Sequence, residues 1–322
     1  PADAHCPGWP FGTAEAQRRQ RALGPHERTI ELTEGVTMDL VLVPPGEFVM
    51  GSADGHVDER PLSRVKMGKP FWMGRLEVTN QQFRRFAPDH QTGFFMKRYP
   101  GMDGPGLALD GAQQPVIRVS WEQAMEFCRW LSQRSGAAIT LPSEAQWEYT
   151  CRAGSAAAMS YGTANVDFSS HANLADQALA KRPGRTGGLE SSITASKIKG
   201  IILEAAIGGD VPCNARYSDG AVATAAVGKY RPNAWGLFDM HGNVAEWTRS
   251  VFRPYPYDPP DGREVADVGA DRNTKMVVRG GSFVDRPKRA RAAFRLAYPA
   301  WQRVHNVGFR VIAAAPPAPA GP

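Results

Sequence analysis

Between Arg279 and Arg310 the chain sets eight basic side chains, Arg279, Arg286, Lys288, Arg289, Arg291, Arg295, Arg303 and Arg310, around a single acid, Asp285. Phe283, Tyr298 and Trp301 interleave with them. Planar guanidinium groups hold carboxylates, sulfates and acidic sugars through forked, charge-assisted hydrogen bonds. The segment therefore predicts an anionic ligand, with Arg286, Arg291, Trp301 and His305 as candidate contacts. The plainer alternative for any one of these arginines is that it braces the fold. Asp285 reads as a general base or metal ligand, or as the ion-pair partner of Arg286 or Arg291, and the ion pair is favoured. His305, beside Asn306, offers a further ligand atom, although a lone histidine is more often structural.

Other chemistry is sparse. Two histidines and a carboxylate suffice for non-haem iron, but the HxD triplet His56-Val57-Asp58 lies in a polar loop and reads as a solvated turn. The four cysteines form no CxxC pair, which excludes a zinc ribbon or a thioredoxin-like centre. Cys128 and Cys151 fall in apolar helical patterns and read as buried thiols. Cys6 and Cys213 lie in proline-containing loops. A bond between them would pin the N-terminal arm to the body and imply an oxidising compartment; two free thiols are the equal alternative. The net charge of +6 is modest, and its basic cluster is local and carries no nucleic-acid motif, so no nucleic-acid partner is expected. No apolar run approaches the ~18 residues of a membrane span.

The elements that must position these groups are short. Glycine (33), proline (26) and eight tryptophans suit a loop-rich fold fixed by aromatics, side-chain hydrogen bonds or metals. Residues 1–30 read as an arm with a helical piece near Ala14–Leu23, 31–314 as one domain, and 315–322 as a Pro/Ala-rich tail that points to a larger assembly. MDLVLVPPGEFVMGS predicts two strands around a Pro-Pro-Gly turn, and VKMGKPFWMGRLEVTN another strand pair. Helices are predicted to start at Thr79 or Asn80, at Ser120 with a Ser120–Gln123 capping box, and at Ser143, the last stopping at Gly154. KMVVRGGSF and VGFRVIAA read as strands, and about 175–215 as an insertion.

Taken in order, Pro45-Gly46-Glu47-Phe48 with Met50-Gly51-Ser52, Glu77-Val78-Thr79-Asn80, Val119-Ser120-Trp121, Leu141-Pro142-Ser143-Glu144-Ala145-Gln146-Trp147-Glu148-Tyr149, Gly242-Asn243-Val244-Ala245-Glu246-Trp247, Arg279-Gly280-Gly281-Ser282 and Gly308-Phe309-Arg310 resemble the formylglycine-generating enzyme, or sulfatase-modifying factor, family. The resemblance runs from about residue 40 to 313. It implies an α+β, C-type-lectin-related fold with little regular structure, stapled by two calcium ions. Calcium takes six to eight oxygens. The first set would be Asn173 by its side chain, Leu174 by its carbonyl, Asp219 by its carboxylate and Ala221 by its carbonyl. The second would be Asn243, the Val244 carbonyl and Glu246, with Gly242 giving the tight backbone. The alternative is that Asn173 and Asp219 cap turns and Glu246 is an exposed helix residue.

In the family's oxidase members two cysteines shortly after the Gly-Gly-Ser motif hold Cu(I), which requires soft thiolates. Gly280 to Ala292 contains none, the loop is about three residues short, and Asp285 sits near one lost ligand. The Cu(I) thiolate site is therefore absent and the identity of any redox metal stays open. The usual partners of the cysteines at 128 and 151 are replaced by Ala292 and Val311. Ser282, Asn306 and Arg310 remain from the family's pocket. Two function classes follow. One is an oxidoreductase on a small peptide-like or anionic substrate, resembling the pyoverdine-maturation branch, with Asp285, Ser282, Asn306 and Arg310 as catalytic residues. The other is a module that binds a glycan or anionic ligand, as in the diversity-generating proteins of this fold. The resemblance implies an extracytoplasmic location, which a Cys6–Cys213 bond, if formed, would support.

Overall fold

The computed structural model describes residues 6–95, 106–181, 213–269 and 271–315. They form α1 (Thr13–Arg21), β1 (Glu27–Thr33), β2 (Val36–Val43), β3 (Gly46–Met50), β4 (Ser63–Met67), β5 (Phe71–Gly74), α2 (Asn80–Arg84), β6 (Phe94–Phe95), β7 (Leu107–Ala108), α3 (Trp121–Ser135), β8 (Ile139–Thr140), α4 (Glu144–Arg152), α5 (Gln177–Ala180), β9 (Ala245–Val251), β10 (Lys275–Arg279), β11 (Leu296–Pro299), β12 (Val307–Gly308) and β13 (Ile312–Ala314). The main sheet runs β1-β2-β5-β13-β8 and a second runs β11-β10-β9-β12, so strands from both ends of the chain meet in the first. In β2, Met38, Leu40 and Leu42 enter the core under α3, while Val41 and Val43 enter a second core with Trp147 and Trp235. Burial on both faces explains why this strand ends in a continuous apolar run.

The predicted strands on either side of Pro44-Pro45 form but do not pair with each other. Strand β2 pairs with β1 and β5, whereas β3 pairs with β4. Strands β4 and β5, expected as a pair, likewise join different sheets. Pro44 and Pro45 have no N–H to close a hairpin ladder, and the Tyr149 hydroxyl instead donates to the Pro44 carbonyl (3.2 Å). Helices α2, α3 and α4 each begin with a complete capping box, at Thr79, Ser120 and Ser143. Helix α4 stops at Arg152, with Ala153 rather than Gly154 as its left-handed cap (φ 43). Gly154 is needed for another reason. A Cβ there would run into the Phe11 ring, and its bareness lets the arm lie against the body, where the Phe11 N–H donates to the Gly154 carbonyl (3.0 Å).

That arm is integral to the body. Ala16 is fully buried, Gln20 donates to the carbonyls of Leu42 and Trp235, and the boundary expected at residue 30 falls inside β1. The expected Cys6–Cys213 bond is not formed. Cys6 is a buried free thiol, whereas Cys213 packs beside the cluster of Phe95, Leu109 and Ile117. Cys128 and Cys151 are buried free thiols whose ionisation is pushed up by burial, and Val311 and Ala292 share their respective core clusters. Of the expected insertion, 182–212 lies outside the described residues, as does the tail from 316. The insertion's ends are stitched together, Asn214 N–H donating to the Ala175 carbonyl (2.7 Å) and Gln177 N–H to that of Tyr217 (3.1 Å). Among the described residues no helix is long and apolar enough to cross a membrane.

Candidate functional site

Strand β10 ends in two glycines with left-handed backbone, Gly280 (φ 97) and Gly281 (φ 69). A Cβ on Gly281 would crowd the Arg289 carbonyl and Ala290. The turn drops Ser282 into the interior, fully buried. Its hydroxyl donates to Asp285 Oδ2 (2.7 Å), its N–H donates to the same oxygen (3.1 Å), and it accepts from Asn306 Nδ2 (2.8 Å). Asn306 is placed by β12, which runs parallel to β9. Ser282, Asp285 and Asn306 thus form one hydrogen-bonded corner. Asp285 is 5% exposed. Burial pushes its carboxyl above the usual range, against the opposing pull of Ser282 and Arg289. Asn306 Oδ1 is buried with no hydrogen-bond partner among the described residues.

The favoured ion pair for Asp285 is corrected in its partner. A 3-10 turn at Pro287–Arg289 brings Arg289 back within 3.5 Å of Oδ1, while Arg286 is exposed and Arg291 grips buried Glu59 in a bidentate pair. The other predicted contacts disperse. Trp301 is 46% exposed and donates to Asn273. Both ring nitrogens of His305 are buried without partners, and burial, then Arg118, lowers its pKa to about 4. Arg310 lies in the interior. It is fully buried, with Nε and Nη2 on Glu246 (2.6–2.8 Å) and further bonds to the carbonyls of Gly74 and Phe238. It is a clamp in the core, inaccessible to a substrate.

In the first predicted metal set Asp219 caps backbone N–H groups, as the alternative reading has it. Asp219 accepts from the N–H groups of Leu174 and Ala221 (2.8 Å each), and Asn173 lies alongside. Asn173 Nδ2 donates to Ala223 and Asn243, which leaves its Oδ1 buried with no partner. Burial raises the Asp219 carboxyl to about 6, with the two N–H groups opposing. An orphaned amide oxygen suits a hard cation, but both Asp219 oxygens are engaged by backbone N–H groups, and the described residues contain no cluster of three or more His, Cys, Asp or Glu suited to a metal.

The second set is arranged otherwise. Asn243 Oδ1 accepts from Asn173 and the Ala225 N–H, its Nδ2 donates to Glu77, and Glu246 is engaged by Arg310 and the Trp147 indole (2.8 Å). Glu246 is not the exposed helix residue of the alternative either, being buried in β9. Gly242 (φ 85) is required, since a Cβ there would overlap the Asn173 carbonyl, and the Val244 N–H donates to Glu77 (3.0 Å). Two acids here escaped the sequence reading. Glu77, which enters the sequence reading only as part of a family motif, is fully buried and pushed well above its usual range by burial, then by Asp239 and Glu246. Asp239 has left-handed backbone (φ 55), accepts from the Gly228 N–H with one oxygen (2.7 Å) and keeps the other buried without a partner. An acid inside an apolar stretch was the available signal at both.

The Sulfatase-modifying factor enzyme 1-like domain model matches residues 28–315. The chain belongs to this family. A formylglycine-generating enzyme of Mycobacterium tuberculosis is 28% identical over 85% of this chain and 97% of its own length. An inactive C-alpha-formylglycine-generating enzyme 2 of Bos taurus is 26% identical, over 88% and 90%. Among solved structures, PvdO from Pseudomonas aeruginosa superposes with a TM-score of 0.64 at 25% identity, covering 90% of this chain and 99% of PvdO. The architecture is accordingly the family's mixed α/β, C-type-lectin-related fold. Within it, this sulfatase-modifying factor relative puts a buried carboxylate, Asp285, in a loop that has no thiol from Gly280 to Ala292.

Proposed function

We propose that the protein is a thiol-independent oxidoreductase of the PvdO-like branch, acting on a small peptide-like or anionic substrate at the Ser282–Asp285–Asn306 corner. The observation that carries this reading is the relay in which Asn306 donates to Ser282 and Ser282 to a buried carboxylate. Burial keeps Asp285 a better proton acceptor than an exposed aspartate, and Arg289, largely exposed beside it, offers a cation at the mouth. Asp285 takes the substrate proton and the Asn306 oxygen orients the substrate. Asp285 must be ionised to act, so turnover rises with pH along a limb displaced above the ordinary carboxylate range. Oxygen uptake with a cysteine-free peptide library tests the reading. Asp285→Asn should lower turnover by about 10²-fold or more with the melting temperature unchanged. A drop in melting temperature with turnover intact would make Asp285 a brace only.

A second reading, a non-catalytic module for a glycan or anionic ligand, is favoured by the engagement of both Asp285 oxygens within the protein and by exposed Trp301. Ligand binding without oxygen uptake would decide for it. An extracytoplasmic setting is carried into the proposal on family kinship alone, and a larger assembly on the Pro/Ala-rich composition of 315–322 alone.

The proposal includes calcium at Asn173, Leu174, Asp219 and Ala221, supported by the orphaned Asn173 oxygen. Calcium at about 100 times its Kd is expected to stabilise the fold by about 2.7 kcal/mol, read as a rise in melting temperature that a chelator reverses. Asn173→Leu should remove the response of the first site. A melting curve indifferent to calcium and chelator alike would rule the site out.

A further inference from the structure

Residues 288–293 also border a cleft of ≈ 750 Å³, walled on its far side by the loop that follows β3 and by the stretch after α4. Its floor is apolar, made by Val49, Leu62 and Ala156, Ala157 and Ala158. Arg152, Arg291 and Lys288 line it together with one acid, Asp54. A pocket of this size, apolar with a few fixed polar groups, suits a small organic ligand.

The charge beneath the floor indicates its sign. Arg152, Arg279 and Arg295 form one buried network with Glu144 and Glu148, and Arg291 makes a separate buried pair with Glu59. Glu148 joins Arg152 to Arg279, Glu144 joins Arg279 to Arg295, and Glu59 holds Arg291. The three carboxylates are fully buried and the four guanidinium groups nearly so. Four cations thus face three anions, a surplus of one where uncompensated charge is costly. At the rim Lys288 is exposed, and neither it nor Asp54 makes an ion pair among the described residues, so the pair adds no net charge. Counting only the groups that line it, the cleft sets Arg152, Arg291 and Lys288 against Asp54, a balance that suits an anion. Its walls are already set. A Cβ on Gly55 would collide with the Glu59 carboxylate, so the loop wraps the acid that fixes Arg291.

We infer that this cleft binds a small carboxylate with a short aliphatic body, the carboxylate facing Arg152, Arg291 and Lys288 and the body lying on the alanine floor. The site is separate from the Asp285 corner and stands or falls independently of it.

Calorimetric titration of the full chain with sodium hexanoate at low salt, with hexanamide as its neutral counterpart, tests this. Hexanoate should bind saturably below about 10 mM and at least about tenfold more tightly than hexanamide. Lys288→Met should weaken it several-fold, and Ala157→Leu, which fills the floor, should abolish binding while circular dichroism stays native. N-acetyl-dialanine, whose C-terminal carboxylate has the same chemistry, separates the sources: tighter binding than hexanoate assigns the cleft to peptide ends, weaker binding to free acids. Equal binding of acid and amide, no saturation by wild-type protein, or indifference to both substitutions would overturn the inference. Displacement of hexanoate by equimolar sulfate would overturn its carboxylate assignment.

Discussion

Glu148→Ala is expected to lose about 3–5 kcal/mol of stability, enough to leave much of the chain unfolded at 37 °C. Glu148 is fully buried and accepts from the Gly51 N–H (2.9 Å), from Arg152 Nε and Nη2 (2.9 and 2.8 Å), and from Arg279. Its removal leaves two guanidinium groups in the core beneath one fewer carboxylate, in a network already one anion short. Burial alone would raise the Glu148 carboxyl, but Arg152, Arg279 and the Gly51 N–H together hold it below its ordinary value. A carboxylate depressed in the folded state contributes stability above its unfolded pKa and loses it as pH falls through the folded value. The part of acid unfolding that depends on Glu148 therefore begins in the ordinary glutamate range and is complete only below it. Urea unfolding of wild type and Glu148→Ala across pH 3–7 checks both statements. A cost under about 1 kcal/mol, the range of an exposed pair, would contradict them.

Arg310→Met is expected to be comparably damaging, for a different reason. Arg310 is the cation against which buried Glu246, Glu77 and Asp239 are set. Removing it strands three acids, at a cost of about 3–5 kcal/mol. The double variant Arg310→Met with Glu246→Gln removes the charge from the most closely paired of them. It should be more stable than Arg310→Met alone, since neutralising both partners is cheaper than orphaning one. Denaturant midpoints of the two single variants and the double variant read this directly. A double variant less stable than Arg310→Met would show that the Glu246 carboxylate matters chiefly through its bond to the Trp147 indole.

These two networks mark the boundary of what the sequence revealed. The capped helices at Thr79, Ser120 and Ser143 and the strand at 36–43 were readable from local pattern, whereas the strand expected through KMVVRGGSF stops at Arg279, where Gly280 and Gly281 turn left-handed. The partners of Asp285, Arg291 and Arg310 were not. Charge counting groups arginines that are near in sequence, whereas Arg291 reaches Glu59 from 232 residues away and Arg310 reaches Glu246 from 64. Glu77 and Asp239 were missed because a single acid in an apolar stretch has no period to betray its burial. The strand partners of β3 and β4 were lost similarly, since prolines at 44 and 45 fix where a strand ends but not which sheet receives it.

The bonds from Asn214 to Ala175 and from Gln177 to Tyr217 bring the two borders of residues 182–212 to one spot on the surface. The two borders of that stretch are therefore held together by the body itself, and the entropy of closing a loop between them grows only logarithmically with its length. A change in the number of residues between 182 and 212 is accordingly expected to alter stability by only about 0.6 kcal/mol for each doubling.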